Sequence, residues 1–259
     1  MICNKARLVA QGFSQMEEVD YDETFAPVAH MESIRILLAL AYHLKFKLYQ
    51  MDVKTTFLNG IFKEDVYIAQ PKGFIDPHFS ENVLYLKKAL YGLKQALRAW
   101  YDRLIQYLVP YRFTRGKVYQ TIFTKWEDGE LIAAQVYIDD IIFESTKDEL
   151  AHSFSKLMQA KFEMSMIGEL THFLKLQIHQ QDSSILLSQS KYAKNLVKKF
   201  GLEFASSVRT PMSSNVKLTV DLLGKSVDSS LYRSMIGSLL YLIASRLDIS
   251  YSVGVCARY

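Results

Sequence analysis

The most constraining feature of the sequence is a pair of adjacent aspartates between two apolar runs. Residues 133–146 read AAQVYIDDIIFEST, so that Asp139 and Asp140 separate Val136–Ile138 from Ile141–Phe143. This pattern predicts two short strands joined by a tight Asp-Asp turn. An ordinary structural turn is the first interpretation, because aspartate bonds its own backbone and tolerates unusual dihedral angles.

The apolar neighbourhood favours a second interpretation, in which the carboxylates bind a metal ion. An unpaired buried charge costs several kcal/mol, and the nearest basic residue in the sequence, Lys147, lies beyond the second strand. A hard divalent cation with oxygen ligands would supply the missing charge. Asp52, at the end of the apolar stretch LYQMDV, is the candidate for a third carboxylate. Three carboxylates at one sheet edge can hold two divalent ions, an arrangement that supports phosphoryl transfer.

The order of these aspartates separates the pattern from another that uses similar parts. A phospho-receiver domain also collects aspartates at strand ends, but its pair comes before its single aspartate. In this sequence the single Asp52 comes before the pair, which argues against that class.

Composition indicates a globular chain with a mild positive charge. The 259 residues are 49% hydrophobic and 22% charged, enough for one large domain or two or three subdomains. The net charge of +4 permits a nucleic-acid partner without requiring one. Cys3 and Cys256 show no metal-binding spacing, so a reducing compartment and no disulfide are expected. The longest apolar runs are too short to span a membrane, and no membrane partner is expected.

Hydrophobic periodicity predicts an α+β fold, in which helices alternate with an antiparallel sheet. The predicted strands are 48–53, 66–69, 83–88, 120–126, 131–138, 172–178 and 184–189. The predicted helices lie at 33–46, at 98–108, after residue 146, near 190–200 and near 229–245. Thr146 and Glu149 predict a capping box for the third helix. The last two helices are expected to form a separate small unit.

Three longer stretches resemble a known family. QMDVKTTFLNG, LYGLKQALRAWY and VYIDDIIF resemble motifs A, B and C of reverse transcriptases from copia-type retrotransposons, with the closest resemblance to plant elements. The flanking stretches KARLVAQGF, DYDETFAPV and SLLYLIASRLDIS agree, and the resemblance covers essentially the whole chain. It implies an RNA-directed DNA polymerase, part of a Pol polyprotein, that adds deoxynucleotides to a primer 3′ end.

The resemblance also implies a domain layout, the right-hand polymerase fold of fingers, palm and thumb. Residues 1–46 and 59–95 would form the fingers, 47–58 and 96–182 the palm, and 183–259 the thumb and the start of a connection. The family has further fingers strands before this point, so we expect the sequence to be truncated at its N terminus.

The aspartates take defined roles in the family. The resemblance implies that Asp52 and Asp139 are the main ligands of two Mg²⁺ ions, for which Mn²⁺ can substitute. Asp140 would support the ions electrostatically, and the backbone carbonyl of Val53 would complete one coordination sphere.

Further matched positions imply contacts to the nucleotide. Phe57 corresponds to the aromatic steric gate that excludes a 2′-hydroxyl, and Arg7 to the fingers arginine that grips the triphosphate. Tyr91, Gly92 and Lys94 fall in motif B, near the incoming base and the template. The plainer alternatives are a core phenylalanine at 57, a solvated strand residue at 7 and a surface charge at 94.

The resemblance also implies the partners. The segment Phe173, Leu174, Lys175 and Leu176 matches the primer grip, a hairpin that positions the primer end. The partners would be an RNA template, a DNA primer and deoxynucleoside triphosphates, bound mostly through phosphate contacts and therefore in a salt-sensitive way. The family location is a cytoplasmic virus-like particle, with the nucleus as an alternative.

Several positions depart from the family pattern. Leu97 and Leu247 stand where the pattern has proline, while Glu18, Glu144 and Lys175 stand where it has glycine. Each change can arise from C-to-T or G-to-A steps alone, which are the marks of cytosine deamination in silenced transposons. Two alternatives to an active polymerase therefore stay open, a truncated inactive remnant and a non-catalytic nucleic-acid-binding module. The remnant would show little or no polymerase activity.

Overall fold

The computed structural model describes residues 6–213, 224 and 226–258. The chain divides into two compact units, Met1–Leu170 and Thr171–Tyr259, and each is described here by itself. Within the described residues, no helix has both the length and the apolar character needed to cross a membrane.

The first unit combines three helices with antiparallel sheets. The helices are α1 (Met31–Leu44), α2 (Ala96–Leu108) and α3 (Asp148–Lys161). The strands are β1 (Leu48–Val53), β2 (Ile61–Ala69), β3 (Val83–Lys88), β4 (Thr114–Arg115), β5 (Ile122–Glu127), β6 (Glu130–Tyr137), β7 (Asp140–Ser145) and β8 (Met164–Glu169). Six of them form one antiparallel sheet in the order β4-β5-β6-β7-β1-β8, and β2 pairs with β3. The predicted class of helices with an antiparallel sheet is confirmed.

One face of the six-stranded sheet packs against α2 and α3. Alternate residues of β1, β6 and β7 point to this face, because successive side chains of a strand point to opposite sides. The buried residues that meet there include Met51, Val136, Ile141, Phe143, Trp100, Leu104, Phe154 and Met158. The centre of the sheet is buried on its other face too, which explains the nearly unbroken apolar sequence of β6 and β7.

The predicted Asp-Asp turn is wrong by one residue. Tyr137 pairs with Asp140 in the β6–β7 ladder, so the two turn residues are Ile138 and Asp139, and Asp140 begins β7. The backbone φ of Ile138 is 54°. A β-branched residue is strongly disfavoured at positive φ, and turn propensity therefore pointed to the two aspartates instead.

The predicted capping box of α3 is also wrong. Lys147, not Thr146, occupies the position before the helix, and no side chain caps it. The Thr146 hydroxyl instead accepts a hydrogen bond of 3.0 Å from the backbone N–H of Leu131. A contact with the neighbouring strand thus takes the place of the local contact with Glu149.

The second unit is a three-stranded sheet with helices. The strands are β9 (His172–Phe173), β10 (Leu176–Gln181) and β11 (Ser184–Ser188), in the order β11-β10-β9. The helices are α4 (Ser190–Lys199), α5 (Ser229–Leu242) and α6 (Ser250–Cys256). The first two match the predicted C-terminal helices. The short α6 was not predicted, and only Val253 in it is buried.

A buried carboxyl group lies in the middle of β7. Glu144 is 0% exposed, stands opposite Leu48 and Ala133, and neither of its carboxyl oxygens has a hydrogen-bond partner among the described residues. Burial alone raises the pKa of Glu144 from 4.5 to about 9. The carboxyl is therefore neutral at pH 7, since a charge at this position would have no counterion.

This burial predicts a pH-dependent stability. Because folding raises the pKa, the stabilising contribution of protonated Glu144 is complete below pH 4.5 and is lost as the pH rises through about 9. Each pH unit between the two pKa values corresponds to ~1.4 kcal/mol. At pH 8, the free energy of unfolding of the Glu144→Gln variant should therefore be ~3–5 kcal/mol higher than that of the unaltered chain. The two should agree within ~1 kcal/mol at pH 5, because glutamine resembles the protonated acid. Urea unfolding at both pH values measures the difference.

The matched control is Glu163→Gln. The side chain of Glu163 is 68% exposed and forms a surface ion pair with Lys54. Loss of such a pair should change the stability by less than ~1 kcal/mol at either pH. A stability gain from Glu144→Gln that is equal at pH 5 and pH 8 would contradict the prediction.

Candidate active site

Two of the three predicted carboxylates face each other across neighbouring strands. Asp52 of β1 stands directly opposite Asp140 of β7 in the antiparallel ladder. Directly opposed residues share one face, with Cβ atoms ~5 Å apart. Asp139 lies in the adjoining turn, and its carbonyl accepts a hydrogen bond of 2.8 Å from the backbone N–H of Val53. The structure thus brings Asp52, Asp139 and Asp140 to one end of the β1–β7 pair, as the sequence predicted.

A glutamine that the sequence analysis missed contacts this group. Gln50 Nε2 donates a hydrogen bond of 2.7 Å to Asp140 Oδ1. Burial raises the pKa of the Asp140 carboxyl, the Gln50 hydrogen bond opposes this, and the charges of Asp139 and Asp52 raise the pKa further. The position of Gln50, two residues before Asp52, was the available signal, because residues at i and i+2 share a strand face.

The turn that carries Asp139 is strained. Only the first of its two central residues, Ile138, has positive φ, which is the pattern of a type II′ turn that favours glycine at this position. A non-glycine residue in such a region costs about 1–3 kcal/mol. The indole N–H of Trp100 donates a hydrogen bond of 2.8 Å to the Ile138 carbonyl. The strained turn is therefore bonded directly to α2.

The carbonyl of Val53, the predicted backbone ligand, already has a partner. The hydroxyl of Thr56 donates a hydrogen bond of 2.9 Å to it. A carbonyl oxygen has two lone pairs, so one is left for another contact.

Three of the predicted nucleotide-binding residues lie together. The rings of Phe57 and Tyr91 meet edge to face with their centroids 5.0 Å apart. The Arg7 guanidinium lies over the Tyr91 ring, 5.5 Å from its centroid. Phe57 is only partly buried and packs against two apolar clusters. It is therefore part of the core and at the same time keeps an accessible edge.

Gly92 and Lys94 both contact the N-terminal segment. Gly92 has a φ of 91°, and a Cβ atom on it would lie 2.1 Å from the Ala10 carbonyl oxygen. The Lys94 ammonium donates to the Gln15 carbonyl at 2.9 Å and lies over the Tyr21 ring at 5.0 Å. Lys94 is thus an exposed residue that also contacts its own chain.

The predicted primer-grip segment lies in the second unit and forms a tight hairpin. Phe173 pairs with Leu176, and the turn residues Leu174 and Lys175 both have positive φ, 45° and 61°. The Lys175 ammonium lies 4.9 Å from the centroid of the Tyr192 ring. The predicted continuous strand 172–178 is therefore wrong, because the chain turns at Leu174 and Lys175, and the aromatic contact stabilises the turn lysine. The role of this hairpin as a primer grip stays a prediction.

Comparison with known proteins identifies the family. A model of the reverse transcriptase (RNA-dependent DNA polymerase) family matches residues 2–214. The chain belongs to the reverse transcriptase family. The family resemblance seen in the three sequence motifs is thereby confirmed.

This reverse transcriptase chain is similar over nearly its whole length to plant transposon polyproteins. The Retrovirus-related Pol polyprotein from transposon RE1 of Arabidopsis thaliana is 37% identical over 255 residues, 98% of this chain and 17% of the relative. That from transposon RE2 of the same plant is 36% identical over 255 residues, 98% of this chain and 18% of the relative. That from transposon TNT 1-94 of Nicotiana tabacum is 33% identical over 267 residues, 98% of this chain and 20% of the relative. The chain therefore spans no more than a fifth of these relatives.

Reverse transcriptases as a family use divalent metal ions, and the donor set here has the required chemistry. Carboxylate and carbonyl oxygens are the ligands that Mg²⁺ prefers. Burial is the main cause of the raised pKa of Asp140, and the nearby charges of Asp139 and Asp52 raise it further, so a cation beside these carboxylates would relieve their repulsion. Among the described residues, however, no three His, Cys, Asp or Glu side chains converge closely enough to hold a metal ion. The donors therefore fit the ion in kind, although in this arrangement they do not form a cluster that could hold it.

The Gln50 contact predicts a change in the titration of Asp140. Gln50→Leu removes the hydrogen bond that favours the carboxylate, so the pKa of Asp140 should rise further. Carboxyl-carbon NMR titration in the absence of metal measures it. Gln135→Leu is the matched control, because Gln135 is also buried in the sheet but donates to Thr121. An Asp140 pKa that is unchanged by Gln50→Leu, or moved equally by Gln135→Leu, would refute the assignment.

Proposed function

We propose that this chain is an RNA-directed DNA polymerase domain that adds deoxynucleotides to a primer 3′ end, with pyrophosphate as the leaving group. The observation that carries the proposal is the cross-strand pair of Asp52 and Asp140 beside the Asp139 turn. Three carboxylates at the end of one strand pair, in a chain of the reverse transcriptase family, are suited to two-metal phosphoryl transfer.

The aspartates take different roles in this proposal. Asp52 and Asp139 would hold two Mg²⁺ ions, with Mn²⁺ as a substitute, and the free lone pair of the Val53 carbonyl would add a ligand. Asp140, held by Gln50, would contribute its charge rather than a direct bond. When bound, the ions supply activation of the primer hydroxyl and stabilise charge on the α-phosphate and leaving group.

The cluster around Tyr91 would bind the incoming nucleotide. Arg7 is exposed and would contact the triphosphate, since a guanidinium can bond phosphate oxygens in pairs. Phe57, at the edge of Tyr91, would lie under the sugar and exclude a 2′-hydroxyl. Gly92 and Lys94 would lie near the base and the template, and their contacts with the N-terminal segment would keep the two sides of this cluster together.

The proposed layout is the right hand of the polymerase family. Fingers would be formed by residues 1–46 and 59–95, the palm by 47–58 and 96–182, and the thumb and the start of the connection by 183–259. The Phe173–Leu176 hairpin would position the primer end, in a complex with an RNA template and a DNA primer. Synthesis would take place in a cytoplasmic virus-like particle.

Three residues favour a second candidate, a folded member of the family that has lost activity. Each stands where the family pattern has glycine. Glu18 and Lys175 have φ values of 66° and 61°, the region that glycine adopts without cost. Glu144 is fully buried and unpartnered. Such strain is expected where other residues replace glycines in a sequence that accumulates mutations without selection.

Asp139→Asn tests the first candidate. The unaltered chain should extend a DNA primer on an RNA template with Mg²⁺, and should bind Mn²⁺. In the variant, both the extension rate and the Mn²⁺ affinity should fall by at least ~10–100-fold. Loss of a residue that only supports a metal ligand already has an effect of this size. Primer extension on gels and Mn²⁺ titration by electron paramagnetic resonance measure the two quantities.

Asp128→Asn is the matched control for this experiment. Asp128 lies in the other two-residue turn of the same sheet, next to Gly129, where Asn-Gly is equally well accepted. It should leave Mn²⁺ affinity and extension unchanged. Mn²⁺ binding without extension in the unaltered chain would identify the inactive candidate, and no Mn²⁺ binding at all would overturn the metal assignment.

Phe57→Val tests the steric gate. The smaller side chain should raise the ratio of ribonucleotide to deoxynucleotide incorporation by about tenfold or more, in the range by which pocket contacts of this size discriminate. Phe62→Val is the control, because Phe62 is also a partly buried phenylalanine packed against the same cluster. If both variants leave sugar selection unchanged, Phe57 is a core residue only.

A further inference from the structure

The side chain that holds the aspartate turn comes from a helix outside the carboxylate group. Trp100 is 1% exposed, and its indole N–H donates to the Ile138 carbonyl at 2.8 Å. An indole has one donor and no acceptor, so this bond uses its whole hydrogen-bonding capacity. The ring also meets Phe162 edge to face at 5.1 Å, which is a contact of the core.

The turn needs an external anchor because its own sequence opposes its conformation. Ile138 has a φ of 54°, where a β-branched side chain is strained and where a type II′ turn favours glycine. Strained conformations persist only where the surrounding structure determines them. At this turn, the Trp100 hydrogen bond to the strained residue itself provides such a determinant.

A change in this turn would be transmitted to the carboxylates on both strands. Asp139 is the second turn residue, and Asp140 is the first residue of β7. The Asp139 carbonyl also accepts the hydrogen bond of the Val53 N–H, next to Asp52. If Ile138 relaxed to negative φ, the peptide that carries Asp139 would rotate, and this bond would be lost.

We propose that Trp100 is a positioning residue that holds the strained Ile138–Asp139 turn and so keeps Asp139 and Asp140 at the end of the β1–β7 pair beside Asp52, where a cation would bind. The inference rests on the proposed function of those aspartates. The rival interpretation is that Trp100 only fills the core, as its contact with Phe162 would allow. The two interpretations differ in what loss of the N–H alone does.

Trp100→Phe removes the N–H and keeps an aromatic ring in the core. Hydrogen exchange at the Val53 amide should become about tenfold faster, and Mn²⁺ affinity should fall about tenfold, as expected for one lost hydrogen bond. The Val136 amide, bonded to the Thr121 carbonyl on the same sheet, is the internal reference and should not change.

Tyr101→Phe is the matched control. Tyr101 is the next residue of α2, is also buried, and its hydroxyl also donates to a backbone carbonyl, that of Gln120, outside the aspartate turn. This variant should leave both the Val53 exchange rate and the Mn²⁺ affinity within about twofold of the unaltered chain, even where it lowers global stability.

A second substitution in the turn gives the decisive result. Ile138→Gly favours the same turn without an anchor, so Trp100→Phe combined with Ile138→Gly should recover most of the Mn²⁺ affinity and the slow Val53 exchange. A residue that only fills the core would not be rescued in this way. Failure of the rescue, or equal effects of Trp100→Phe and Tyr101→Phe, would overturn the proposal.

Two further measurements cover the cases in which a variant does not fold or the chain binds no metal. If Trp100→Phe does not fold, benzothienylalanine at position 100 keeps the bicyclic shape and replaces the N–H by sulfur, with the same expected changes. If the unaltered chain binds no Mn²⁺, the proposed function fails, and the Val53 exchange rate alone then decides whether Trp100 holds the turn.

Discussion

The candidate active site depends on the register between β1 and β7. That register places Asp52 opposite Asp140 and puts Gln50 on the same face, within hydrogen-bonding distance of Asp140. A slip of one residue would turn every side chain of one strand to the opposite face. Met51 and Ile141, fully buried against the helices on the other face, oppose such a slip because it would expose them in exchange for carboxylates. Burial of the apolar face thus also fixes the face that carries the aspartates.

The same burial explains why the two carboxyl groups of β7 lie in different environments. A strand covered on both faces has no room for a charge, yet this one begins with Asp140 and carries Glu144 four residues later. Asp140 is at the strand end, where Gln50 and the neighbouring aspartates give its carboxylate a defined environment. Glu144 has no such partner and can be buried only as the neutral acid. Position along one strand therefore separates a carboxyl group with polar partners from one that is buried as the neutral acid.

Local sequence signals predicted most elements of the fold, but not β8 or α6, and not the contacts between elements. The strand LYQMDV and the helix α2 follow from hydrophobic periodicity. The aspartates were predictable as a group, because acidic residues in apolar strands are rare. The turn at Ile138 was not, since local propensity argues against it and the hydrogen bond to its carbonyl comes from Trp100 of α2, far away in the sequence. The cap at Thr146 failed for a similar reason, because a neighbouring strand took its hydroxyl.

The crossing of the N-terminal segment over Gly92 bears on how such a gene loses its function. A Cβ atom on Gly12 would lie 1.9 Å from the Gly92 carbonyl oxygen, and one on Gly92 would lie 2.1 Å from the Ala10 carbonyl oxygen. Every glycine codon begins with two guanines, so a single G-to-A transition in either of them replaces the residue. A single transition in the codon of Gly12 or Gly92 can therefore disturb the segment that carries Arg7, although neither glycine contributes a side chain to the site. A copy can keep all three aspartates intact and still lose this half of the site, so intact aspartates alone are a poor record of past selection.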